Sequence, residues 1–142
     1  MKTLYVFISI SLLMGFTSLG AVGDNVILAT VKNYSVNQEV FWALDRGSFE
    51  KVPKYAPFDD SSVDLSKAIA MAMRQCRESN KNGRISLDSA SFRQPIATKD
   101  RNGVFFYFIT FLVEPEEGES FQYDVLVLPD GKTLDSQMKR IE

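Results

Sequence analysis

The chain has 142 residues, with 16 Lys and Arg against 18 Asp and Glu, a formal net charge of −2 and no histidine. The missing histidine excludes Ser-His and Cys-His nucleophilic sites, the usual zinc sites and the commonest general base at neutral pH. The basic residues are scattered, without the clustered patch that a phosphate backbone requires, so nucleic acid is not an expected partner.

Residues 1–21 read as a secretory leader. Lys2 precedes an apolar stretch from Leu4 to Phe16, followed by the small residues Ser18, Gly20 and Ala21. The stretch is short for a bilayer span, and no cysteine lies in the cleavage region to take a lipid. The expectation is an exported protein, periplasmic or extracellular, that does not span the membrane once the leader is removed. About 120 residues then remain, enough for one modest core. With Cys76 as the single cysteine, no internal disulfide can form, and stability must come from packing.

Residues 22–60 read as a β-rich section and linker. Residues 25–31 (NVILATV) form a short strand. Residues 40–44 and 49–52 flank Asp45-Arg46-Gly47 as the arms of a hairpin, with Trp42 and Phe49 packed on one layer. Pro53 and Pro57 bracket an extended segment.

Residues 61–134 carry one clear helix and then strands. Leu65, Ala68, Ile69, Ala72, Met73 and Cys76 fall on one helical stripe, with Ser61 or Ser62 placed to cap its start and Gly83 suited to a left-handed cap at its end. Residues 84–94 read as a strand in which Ile85 and Leu87 have one parity and Ala90 and Phe92 the other, so a bulge is expected near Asp88-Ser89. Residues 104–113 (VFFYFITFLV) are the most apolar run after the leader. They pair with residues 121–128 through an acidic loop containing Glu114, Glu116, Glu117 and Glu119. That loop lacks the spacing of a calcium site and reads as a solvated guard against edge aggregation. Pro129-Asp130-Gly131 suits a type I turn with a bulge, before a short strand at 132–134. Residues 135–142 read as a loose polar tail.

The central run 104–113 is apolar on both faces. Val104, Phe106, Phe108 and Leu112 point one way, and Phe105, Tyr107, Ile109, Phe111 and Val113 the other. A helix covers one face. The other needs the N-terminal section or another molecule. Phe105, Tyr107 and Phe111 are therefore the candidate partner-binding residues, with burial in the core as the competing account. Ser48-x-x-Lys51 and Ser136-x-x-Lys139 match a serine–lysine spacing, but neither falls at the start of an expected buried helix. No catalytic, metal-binding or cofactor-binding residue is assigned.

The fold class expected is α+β, with one main helix on an antiparallel sheet of three to four strands beside the β-rich N-terminal section. The segment Ser66-Lys67-Ala68-Ile69-Ala70-Met71-Ala72, the strand Gly83-Arg84-Ile85-Ser86-Leu87, and Gln122-Tyr123-Asp124-Val125-Leu126-Val127 with Asp130-Gly131-Lys132 together resemble PepSY-like domains over about residues 62–134. The chain departs from that pattern at Leu128-Pro129-Asp130-Gly131, where those domains carry an Asp-Ala-x-Thr-Gly turn. A cystatin-like layout is similar, although the Gln-x-Val-x-Gly motif is absent at Gln38-Glu39-Val40. The resemblance implies an exported, non-enzymatic module that binds or modulates a peptidase and needs no cofactor. The alternative expectation is a self-associating accessory subunit of the cell envelope.

Overall fold

The computed structural model describes residues 24–54, 63–101 and 103–140. The leader, most of the Pro53–Pro57 segment and both serines proposed as helix caps lie outside the described residues. The architecture is α+β: two antiparallel sheets, of three and four strands, and one main helix.

Strands β1 (Asn25–Asn33) and β2 (Gln38–Asp45) form a hairpin whose turn ends at Asn37, with φ of 52°. Asparagine tolerates that conformation better than most side chains. A bulge between Ile27 and Ala29 keeps Val26, Leu28 and Ala29 buried. The hairpin expected around Asp45-Arg46-Gly47 is not formed. Asp45 instead caps a one-turn helix, α1 (Arg46–Glu50), by accepting from the Ser48 backbone N–H at 2.9 Å. An aspartate followed by a short polar stretch suits a turn and a helix start equally, and burial of Phe49 selects the helix.

The main helix is α2 (Leu65–Ser79). Its cap is Asp64, which accepts from the Lys67 backbone N–H at 2.8 Å. At the far end the Asn80 backbone and side chain both donate to the Cys76 carbonyl, each at 2.9 Å. Gly83 does not adopt the left-handed conformation expected of it; among the described residues the glycines with positive φ are Gly103, Gly118 and Gly131. Its role is close approach, since a Cβ there would sit 2.9 Å from Val113 Cγ1.

The second sheet runs β3 (Arg84–Arg93), β4 (Phe106–Glu114), β5 (Phe121–Val127) and β6 (Thr133–Leu134), in that spatial order. The β3 register shifts between Leu87 and Ser89, where the change of parity puts a bulge. The shift brings Ile85, Leu87, Ala90 and Phe92 opposite Val113, Phe111, Ile109 and Tyr107, all on one face of the sheet. At the β5–β6 turn the Gly131 N–H donates to the Leu128 carbonyl at 2.9 Å, and φ of Gly131 is 86°. That is the turn its Pro-Asp-Gly sequence favours.

Each face of β4 has its own cover, reversed from the expected assignment. Val104, Phe106 and Phe108 pack with Leu126 and Leu128 against Val26, Leu28, Ala29, Trp42 and Phe49 of the N-terminal strands and α1. Trp42 meets Phe108 edge to face, with ring centroids 5.0 Å apart. Ile109, Phe111 and Val113 pack with Val125 and Val127 under Ala68, Ala72 and Cys76 of α2. The small helix residues allow this close contact, and each large aliphatic or aromatic side chain so buried contributes about 1.5–3 kcal/mol. An isolated helix of this length is marginal in water, so the sheet holds α2 in place.

Four of the residues expected to form a loose tail are instead in a strand. Gln137–Arg140 form β7, which pairs antiparallel with β2 and completes a sheet ordered β1-β2-β7. Main-chain pairing places this segment, which is why its polar side chains gave no sign of a strand.

Candidate interaction surface

Helix α2 sits over β4 and β5, and β3 is the outer strand beyond it. On the helix side of β3, Leu87 is 46% and Phe92 43% exposed, large apolar side chains set on an edge strand. Phe92 stacks on Phe105, with centroids 4.8 Å apart and planes within 8°, and meets Tyr107 at 5.0 Å. Ile96 is also exposed, just past the end of β3.

The loop after β3 is pinned from several directions. The Arg101 guanidinium donates to the carbonyls of Pro95 at 3.0 Å and Ile96 at 3.3 Å. Asp100, buried at the end of a short 3-10 turn (Thr98–Asp100), is ion-paired with Arg46 of α1. The Asp100 hydrogen bond raises the Arg46 pKa above its ordinary value. Gly103, with φ of 77°, then turns the chain into β4. These contacts fix the position of Ile96 and the approach of Phe105.

The three residues singled out from sequence part company here. Phe105 and Tyr107 are half-buried and meet in the stack built on Phe92. Phe111 is fully buried beneath α2 and presents no surface to a partner. Equal parity along β4 does not give equal exposure, because the helix crosses one end of the strand and leaves the other to its edge. Sequence reasoning missed Phe92 as the organising side chain. The parity change across Asp88-Ser89 was the available signal, since it places Phe92 on the same face as Tyr107.

The opposite face of the second sheet turns polar beyond Phe108. Thr110 Oγ1 donates to Asp124 Oδ1 at 2.6 Å, and Gln122 Nε2 donates to Asp88 Oδ2 at 3.1 Å. Arg93 lies 4.4 Å above the Phe108 ring and donates through Nε to Ser91 Oγ at 2.7 Å. Burial pushes the Asp124 carboxyl above its ordinary value, against the Thr110 hydrogen bond and the charge of Arg93, both of which lower it.

Other chemically suggestive residues occupy structural positions. Cys76 is fully buried, and burial raises its thiol pKa, the reverse of what a reactive thiolate requires. Ser48 lies in the one-turn helix α1, while Ser136 and Lys139 straddle the start of β7. Neither pair has the buried helix that serine–lysine chemistry uses. In the acidic loop, Glu114 lies 3.7 Å from Arg84 and Glu116, Glu117 and Glu119 face solvent or its margin. Among the described residues no group of three or more Cys, Asp or Glu side chains is placed to hold a metal ion, and no helix is long and apolar enough to cross a membrane. No protein-family model, no curated protein and no solved structure matches the chain.

Proposed function

We propose that the protein is an exported, non-enzymatic binding module, periplasmic or extracellular, that modulates a peptidase through the outer strand of its second sheet. The observation that carries this reading is the apolar strip on β3. Leu87 and Phe92 are exposed on one face of an edge strand, with Phe92 stacked on Phe105 and meeting Tyr107, and Ile96 is exposed just past the strand's end. Edge strands offer main-chain groups for β-augmentation, and flanking apolar side chains add affinity and register. The peptidase part of the reading rests on the PepSY-like resemblance that the sequence suggests over about residues 62–134. A chain without histidine, whose one thiol is buried, suits binding better than chemistry.

The test pairs capture with an activity measurement. The mature chain is used to capture partners from native envelope extract, beside a Leu87→Ser/Phe92→Ser variant shown by circular dichroism to be folded. The expected result is a peptidase that the chain retains and whose turnover it changes, with both effects lost in the variant. A peptidase retained equally by the variant, or none retained, overturns the reading.

A further inference from the structure

The open edge of β2 is closed by β7, and the way it is closed is unusual. All four β7 residues are exposed, Met138 to 62%, so the strand adds little to either core. Among the described residues it ladders with β2 alone, setting Glu39 opposite Lys139, Val40 opposite Met138 and Phe41 opposite Gln137. One ion pair reinforces the ladder, Lys139 Nζ to Glu39 Oε2 at 2.9 Å, with the ammonium also 5.8 Å from the Phe41 ring centroid. A strand held by a short main-chain ladder and one such pair belongs to the low end of local stability. The edge beneath it is firm. Trp42 of β2 is fully buried, Val40 packs on the same core, and Glu39 is only 8% exposed although it carries a charge.

We propose that β7 is a built-in occupant of a strand-binding edge, displaced by an extended segment of a partner protein that carries Lys or Arg opposite Glu39 and an unbranched apolar residue opposite Val40. The cation is specified by Glu39. Lys32 of β1 is its register partner on the other side, but the ion pair is made by Lys139, and a neutral strand in place of β7 would remove that pair from a nearly buried carboxylate. The apolar residue is specified by Val40, which lies at the rim of the core between the two sheets. Two positions read on alternate faces, with main-chain bonds supplying most of the affinity, is how augmented edges achieve specificity. Because β7 is tethered by the two residues Asp135 and Ser136, it competes at high effective concentration and sets a threshold that a partner must exceed. The same short tether, no more than about 7 Å when extended, favours a separate segment over exchange between two copies, whose bodies would have to touch. This edge belongs to the other sheet from the β3 strip, so the two proposals stand or fall separately.

The test uses the full chain and a fluorescent synthetic peptide with the sequence of residues 136–140. Three forms are compared: the wild type; Met138→Pro/Lys139→Pro, whose β7 cannot ladder; and Val40→Cys/Met138→Cys, whose disulfide pins β7 to β2. The peptide is expected to bind the proline variant about tenfold or more tightly than the wild type. It should be excluded from the oxidised cysteine form and readmitted on reduction. A peptide with Glu in place of its Lys should fail on the proline variant and recover when Glu39→Lys is added. Equal binding to the wild type and the proline variant, or indifference to the Lys-to-Glu change, overturns the proposal. A wild-type dimer in sedimentation that disappears in the oxidised cysteine form overturns it in favour of exchange between copies. Should the proline variant lose its Trp42 near-ultraviolet signal, the oxidised and reduced cysteine forms supply the same contrast in a chain whose β7 sequence is otherwise native.

Discussion

Gly83 and Val113 meet where the chain passes from α2 into β3, so closely that a Cβ on Gly83 would lie 2.9 Å from Val113 Cγ1. The backbone of Gly83 is not in the left-handed region, so an alanine there is limited by space alone. Gly83→Ala should destabilise the protein by about 1–3 kcal/mol through overpacking. Val113→Ala, itself a destabilising truncation of a buried side chain, should cost less in the Gly83→Ala chain than in the wild type, because there it also removes the colliding methyl. Urea unfolding of the two single variants and the double variant measures the coupling, and simple additivity would show that the contact does not govern the site.

Phe111 and Phe92 share a face of the second sheet but not a burial. Phe111→Ala should cost about 3–5 kcal/mol, the range for a large side chain removed from a packed core. Phe92→Ala should cost about 1 kcal/mol, mainly the aromatic contacts with Phe105 and Tyr107. Denaturation midpoints check the order, and a reversal would place the helix elsewhere on the sheet.

Burial of Asp124 sets the sign of one pH dependence of the fold. Burial raises its folded-state pKa above the ordinary 3.8, so folding favours the protonated form. The associated stability is fully present below 3.8 and is lost as pH rises through the folded-state value. Asp124→Asn, which keeps an acceptor for Thr110 and carries no charge, should therefore gain on the wild type as pH is raised from acid to neutral. Thermal unfolding of both proteins across that range tests it, and a difference independent of pH would contradict the assignment.

Cys76 should be chemically silent in the folded protein. Its thiol is buried beneath α2 with a raised pKa, so little thiolate forms and little reagent reaches it. Reaction with a disulfide reagent near pH 8 should be slow natively and rapid in denaturant. Rapid native reaction would mean that α2 lifts readily from the sheet.

What the sequence reveals of this fold is mostly local. The apolar stripe of α2, the parity change that marks the β3 bulge and the Pro129-Asp130-Gly131 turn are each written in fewer than a dozen neighbouring residues. Position in three dimensions is harder to read. Asp45 suits a hairpin turn and a helix cap alike, and the choice rests on where Phe49 finds cover. Gly83 looks like a left-handed cap until Val113 is brought beside it. β7 leaves no periodic trace because neither of its faces is buried. The same limit applies to the candidate surface. Parity groups Phe105, Tyr107 and Phe111, and the path of α2 over the sheet separates them.

The two sheets also differ in when their strands become available. β3 to β6 follow one another along the chain and pair with sequence neighbours, so that sheet and α2 can assemble through local closures. The first sheet takes β1 and β2 from before α2 and β7 from after β6. A chain emerging from its N-terminus thus carries β2 with a bare edge until β7 has been made, and the β2–β7 ladder waits on the longest loop closure among the described strand pairs. Refolding should accordingly show the β1–β2 edge gaining hydrogen-exchange protection after the β3–β5 sheet, an interval in which any strand of suitable chemistry reaches that edge before the chain's own.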